Sequence, residues 1–282
     1  MTEQSTVAAL IAQGMRQLES CGAEHRGVLD AQLLLAHTLG IERWRLAAHP
    51  DSPVDASAAD RYRQLLRRRG AGEPLAYLTG RREFWSLDLA VTPDVLIPRP
   101  ETELLIERAL ALWTASAGRV ADLGTGCGAI AIALARERPR WQIVATDVSA
   151  AALAVAQRNA ATFGAGIDFR QGDWYAPLAG ERFDLLLSNP PYVAADDPAM
   201  HELRYEPRTA LTPGSDALQC LRTLVRGAAR HLAPGGWLLL EHGAHQGADV
   251  RRELVAAGFR YVRSHCDLAG HERMTDAQYG QI

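Results

Sequence analysis

Apolar residues recur at three- and four-residue spacing through the first 75 positions: Val7, Leu10, Ile11 and Met15, then Leu29, Leu33, Leu34 and Leu39. That period lines one face of a helix, so the region reads as helical throughout. Pro50, Asp51, Ser52 and Pro53 break it, and a short helix is expected over about 58–69. Residues 70–80, punctuated by Gly and Pro, read as a linker. Two short strands over 83–89 and 90–95 then predict a hairpin, stopped by Pro98-Arg99-Pro100. A helix over 101–115 follows. From there the pattern alternates: short apolar runs over 120–123, 142–146, 167–170, 183–188, 237–241, 259–263 and 274–279, and helical periods over 129–138, 149–163, 217–231 and 246–257. Alternation of this kind predicts a doubly wound parallel sheet with helices on both faces.

Composition narrows the class. The chain has 282 residues, enough for two compact domains, with 48% hydrophobic and 22% charged residues, an ordinary globular balance. A net charge of -3 argues against a molecule-wide trap for nucleic acid. Every basic residue is arginine, and five (Arg61, Arg63, Arg67, Arg68, Arg69) fall on the expected 58–69 helix. A solvated helix face is the plainer account of them; a docking surface for an acidic partner or ribonucleoprotein is the sharper one. Cys21, Cys127, Cys220 and Cys266 are scattered without a Cys-x-x-Cys pair, so neither zinc site nor disulfide framework is expected. No secretory signal opens the chain and no apolar run could span a bilayer. A cytoplasmic protein without metal or membrane attachment is the expectation.

Two motifs carry chemistry. Val120-Ala121-Asp122-Leu123 runs directly into Gly124-Thr125-Gly126-Cys127-Gly128, where a strand hands over to a helix. Glycines there let the backbone turn tightly and approach a ligand, and the helix N-terminus favours an anionic group. Asp147 ends the next strand, 23 residues after Gly124, where a carboxylate can accept from both hydroxyls of a ribose. Its simpler role is helix capping, for which Ser149 is better placed. Trp174 follows the third strand, positioned to lie beside an adenine, with Asp173 able to accept from its amino group. A nicotinamide dinucleotide and S-adenosylmethionine both satisfy these features.

The fourth strand separates them. It ends in Asn189-Pro190-Pro191-Tyr192, 65 residues beyond Gly124. The Asn189 side-chain oxygen and the Pro190 carbonyl can accept both hydrogens of an NH2 group, orienting a delocalised nitrogen lone pair toward an electrophile and steadying charge that develops on it. The prolines stiffen the loop, and Tyr192 can offer its ring face to a planar substrate. Methylation of an amide or exocyclic nitrogen follows, with Asn189, Pro190 and Tyr192 as catalytic residues and Asn189 to Tyr192 as the substrate grip.

The chain closely resembles the HemK family of peptide chain release factor glutamine methyltransferases. The likeness includes Pro74-Leu75-Ala76-Tyr77-Leu78-Thr79-Gly80, Glu83-Phe84, and Val95-Leu96-Ile97-Pro98-Arg99-Pro100-Glu101-Thr102-Glu103. It continues through Asp122 to Gly128, Ser188 to Tyr192, and Tyr205-Glu206-Pro207-Arg208-Thr209-Ala210-Leu211. The resemblance implies a Rossmann-like, seven-stranded class I methyltransferase domain over 99–282, a small N-terminal helical domain over 1–76 that recognises substrate, and a hairpin linker over 77–98. It implies S-adenosyl-L-methionine as cofactor, S-adenosyl-L-homocysteine as product, and the glutamine of the Gly-Gly-Gln motif of bacterial class I release factors as acceptor. Cofactor contacts carry over to Gly124, Thr125, Gly126, Cys127, Gly128, Asp147, Trp174 and Asn189, and Phe84 and Arg99 are placed beside the site. A monomer without direct nucleic-acid contact is expected. The alternatives are a nucleic-acid adenine methyltransferase, since adenine's NH2 resembles a carboxamide, and, more distantly, a nicotinamide-dependent oxidoreductase or a silent binding module.

Overall fold

The computed structural model describes residues 5–21 and 27–280. The chain divides into two compact units, Met1–Arg81 and Arg82–Ile282.

The first unit is helical: α1 (Val7–Glu19), α2 (Gly27–Leu39), α3 (Arg43–Ala48), α4 (Ala56–Gly70) and α5 (Leu75–Thr79). Leu10, Leu18, Leu34, Leu35, Tyr62 and Leu66 are fully buried among them. Gly14 admits the Tyr62 side chain, since a Cβ there would lie 2.1 Å from its hydroxyl, and that hydroxyl donates to the Leu10 carbonyl. Thr6 and Asp55 cap α1 and α4 by accepting from Ala9 and Ala58. The arginines of α4 are mostly engaged within the unit: Arg69 with the buried Asp30 at 2.7 Å, Arg68 with Glu73, Arg63 with Asp60, and Arg61 with the Ser57 hydroxyl. The expected linker over 70–80 is corrected in part: α5 forms inside it because Tyr77 and Leu78 are buried, and Gly80, left-handed at φ 71°, ends it.

Next comes a hairpin of β1 (Arg81–Phe84), which begins at the last residue of the first unit, and β2 (Leu87–Ala90). The expected strands over 83–89 and 90–95 are therefore out of place. The turn falls at Trp85 and Ser86, both left-handed at φ 51° and 56°, the geometry of a two-residue hairpin normally given to Asn-Gly. Carboxylates compensate: Glu103 accepts from the Trp85 amide, Glu83 from the Ser86 amide, and Glu137 from the Trp85 indole. The helix expected over 101–115 is shorter. A 3-10 turn, Pro100–Thr102, leads into α6 (Glu103–Leu112), and Trp113 leaves it in extended conformation.

Then come β3 (Gly118–Leu123), α7 (Ala129–Glu137), β4 (Trp141–Asp147), α8 (Ala150–Phe163), β5 (Ile167–Gln171) and β6 (Phe183–Ser188). Two short helices, α9 (Ala199–Glu202) and α10 (Arg208–Leu211), interrupt the following loop. The unit finishes with α11 (Gln219–His231), β7 (Leu232–Glu241), α12 (Gly247–Ala256), β8 (Arg260–Cys266) and β9 (Glu272–Gln278). The sheet has seven strands in the order β5-β4-β3-β6-β7-β9-β8. It is the expected seven-stranded, doubly wound sheet, parallel except for β9, which runs antiparallel to both neighbours. The reason is connection length. Asp267 accepts from the Ala269 and His271 amides and Gly270 turns at φ 84°, closing β8 onto β9 in a hairpin too short to cross the sheet.

The order reverses between β3 and β6, which pair directly, Asp122 opposite Leu187. Sheets of this kind bind ligands beyond the carboxyl ends of the strands at that switch point. The glycine turn and Asn189-Pro190-Pro191-Tyr192, distant in sequence, leave the sheet there side by side.

Candidate active site

The glycine turn is built by backbone necessity. Gly124, Gly126 and Gly128 have φ of 77°, 57° and 87°, conformations that cost L-residues strain. The amides of Gly124 and Thr125 both donate to the Thr146 carbonyl at 2.9 Å, fastening the turn to the end of β4. Beneath it Asp122 is fully buried and accepts from the Thr125 hydroxyl at 2.6 Å; burial pushes its carboxyl up to about 7. Asp147 braces the turn from the next strand, accepting from the Gly126 amide on Oδ2 and the Ser149 amide on Oδ1, each at 2.9 Å. Burial raises its carboxyl as well. Ser149 caps α8 by accepting from Ala152, the assignment expected for it.

A cavity of about 270 Å³ opens above these residues. Gly124, Thr125, Gly126, Cys127, Asp147, Asp173, Trp174, Asn189 and Pro191 all line it. Trp174 is held in a left-handed conformation at φ 44° with its carbonyl accepting from the Thr146 hydroxyl. Its ring lies against Gly124, where a Cβ would approach to 3.2 Å. An added Cβ at Gly126 would meet no protein atom within 4 Å, so the backbone there is open to a ligand. A long, largely apolar cleft with an aromatic wall, a partly buried carboxylate and an open glycine backbone suits a nucleoside-bearing cofactor.

Gly128 does not join that lining. Its missing Cβ instead lets α7 and α8 close together, since the atom would sit 2.9 Å from Ile132 and 3.2 Å from Ala156. Phe84 is also elsewhere, buried in β1 and outside the lining of either cavity.

A smaller cavity of about 110 Å³ adjoins the first. Pro190, Tyr192 and Arg99 line it with Leu96, Leu203 and Leu211. Asn189 borders both cavities and is the one polar side chain they share. Its Nδ2 donates to the Thr102 hydroxyl at 3.1 Å, leaving the side-chain oxygen as the atom still able to accept. The Tyr192 hydroxyl is already committed, donating to the buried Glu241 at 3.1 Å. Tyr192 therefore contributes ring surface to the small cavity, and burial beside Glu241 raises its phenol far above the ordinary range. Arg99 is tied to Glu206, whose other oxygen accepts from the Ile97 amide, so the segment before α6 is pinned to the loop after β6.

Sequence reading quoted Thr102 and Ser188 within motifs but gave no site role to them, to Glu241 or to Gln246. Glu241 offered a signal, an acidic residue closing the apolar run Trp237 to Leu240 at the carboxyl end of a parallel strand. Among the described residues no three His, Cys, Asp or Glu side chains gather as a metal site, and no helix is long and apolar enough to cross a membrane.

Comparison with known proteins agrees with this architecture. Residues 100–270 match the Methyltransferase small domain and residues 9–80 the PrmC N-terminal domain. A release factor glutamine methyltransferase of Xylella fastidiosa (strain Temecula1) is 52% identical over 251 residues, covering 88% of this chain and 91% of that protein. One from Burkholderia pseudomallei is 53% identical, covering 87% and 90%, and one from Vibrio cholerae is 42% identical, covering 97% of each. Among solved structures, a Pyrococcus furiosus methyltransferase aligns with TM-score 0.53 and 17% identity over 79% of this chain and all of that one, a likeness of fold.

Proposed function

The chain belongs to the release factor glutamine methyltransferase family, and from that premise we propose that it moves a methyl group from S-adenosylmethionine to a release factor glutamine. The acceptor is the side-chain amide nitrogen of the Gly-Gly-Gln motif in bacterial class I release factors. The observation that carries this reading is the position of Asn189 on the boundary of two adjoining cavities, one sized for a nucleoside and one for a side chain.

Gly124 to Cys127, Asp147 and Trp174 would hold the cofactor in the larger cavity: Asp147 facing the ribose, Trp174 the base. S-adenosylmethionine supplies a sulfonium-activated methyl, so the protein needs no nucleophile of its own. What the chain must do is orient a poor one. The Asn189 oxygen and the Pro190 carbonyl accept the two amide hydrogens, which turns the nitrogen lone pair toward the larger cavity and stabilises positive charge as it forms. The Tyr192 ring and the apolar side chains of Leu96, Leu203 and Leu211 exclude water around the carboxamide. In this reading the protein works in the cytoplasm as a monomer and touches no nucleic acid directly.

Purified protein, labelled S-adenosylmethionine and release factor test it. One methyl group should appear on the Gly-Gly-Gln glutamine by mass spectrometry, and none when that glutamine is replaced. Label entering DNA but not release factor would reject the reading in favour of the adenine alternative. S-adenosylhomocysteine should quench tryptophan fluorescence, and Trp174→Phe should remove most of that signal; quenching by NADH instead would point to an oxidoreductase.

A further inference from the structure

We propose that Glu241 is a positioning residue for methyl transfer, holding the Tyr192 side chain in place at the far end of the acceptor grip from Asn189. The inference rests on the reading of Asn189 and Tyr192 just given.

Glu241 closes β7, the strand beside β6, with Leu240 paired to Ser188. It is buried to 1% exposure, and among the described residues it forms no ion pair. A buried carboxyl without an ion pair costs stability and needs some return for being kept. Its partners indicate what that return is. The Tyr192 hydroxyl donates to Oε1 at 3.1 Å. At the other end of the loop Asn189 Nδ2 donates to the Thr102 hydroxyl at 3.1 Å. Thr102 and Glu241 thus hold opposite ends of the Asn-Pro-Pro-Tyr loop. The loop after β7 adds a third hold: Gln246 accepts from the Gly243 amide at 2.8 Å and donates to the Tyr192 carbonyl at 3.1 Å. Side chains five residues apart, Glu241 at the end of β7 and Gln246 in the loop beyond it, thus grip Tyr192 at its hydroxyl and at its backbone.

The geometry assigns orientation, not binding, to Glu241, so its loss should appear in turnover. Glu241→Leu and Tyr192→Phe are each expected to lower kcat by roughly 10-fold, with the KM for release factor and the Kd for S-adenosylmethionine changed by no more than about twofold. Glu241→Gln, which keeps an oxygen for Tyr192, should recover much of the loss. The double variant Tyr192→Phe/Glu241→Leu should be no worse than the poorer single one, since both remove the same hydrogen bond. Additive losses would overturn the proposal, as would wild-type kcat in Glu241→Leu. An effect confined to KM or cofactor Kd would do the same. If Glu241→Leu does not fold, Tyr192→Phe with and without Glu241→Gln completes the cycle. Absence of release factor methylation by the wild-type protein would instead sink the underlying reading.

Discussion

The buried Ser188 hydroxyl donates to the Leu123 carbonyl at 2.6 Å, joining the last residue of β6 to the last residue of β3. Each is the residue immediately before a functional loop, Leu123 before the glycine turn and Ser188 before Asn189. The bond ties together the strand ends that carry the cofactor cradle and the acceptor grip. Ser188→Ala removes the donor and leaves a buried carbonyl short of a partner, a loss of about 1–3 kcal/mol. Thermal melting should fall by several degrees and kcat should fall with it. A variant that melts and turns over like wild type would show the strand ends to be held by the sheet alone.

Asn189→Ala should keep the fold while losing roughly 100-fold or more in kcat, the scale of removing one aimed charge-stabilising contact. Single-turnover methylation of release factor, with melting temperature as control, measures both. Turnover near the wild-type value would contradict the orientation mechanism.

Gly126 and Gly128 should fail differently. At Gly126 a Cβ meets no protein atom, so Gly126→Ala should cost about 1–2 kcal/mol of backbone strain but weaken S-adenosylhomocysteine binding by about tenfold or more, because the methyl occupies ligand space. At Gly128 the Cβ runs into Ile132 and Ala156, so Gly128→Ala should chiefly lower the melting temperature through overpacking. Calorimetric titration paired with thermal melting separates the two, and equal effects on both quantities at both sites would refute the distinction.

Asp122 makes stability depend on pH in a definite direction. Its ordinary value is 3.8 and burial raises it to about 7 in the folded protein. Between those values the folded state binds more protons than the unfolded one, so stability falls as pH rises through that window. Glu241, also raised to about 7, acts in the same sense. Asp122→Asn, which can still accept from Thr125, should flatten the decline over pH 4–7. Melting temperatures across that range that fall equally in wild type and variant would show that Asp122 does not contribute.

Much of this protein was readable in one dimension. Phe183–Ser188 was located to the residue, because a buried parallel strand is a continuous apolar run and prolines end it. The glycine turn, Asp147 and Ser149 were legible because local backbone geometry restricts which residues can stand there. What only the tertiary structure decided depends on partners far along the chain. Trp85 and Ser86 make an unexpected hairpin turn because carboxylates, among them Glu103 eighteen positions away and Glu137, satisfy its donors. Gly128 carries the same signature as Gly126, and only the packing of α8 against α7 shows that it serves a helix contact. Thr102 and Glu241 stand near the site because the sheet sets β7 beside β6 and Asn189 reaches across to the turn before α6. Local periodicity registers the conformation of a residue; it carries no record of which distant side chain will be folded against it.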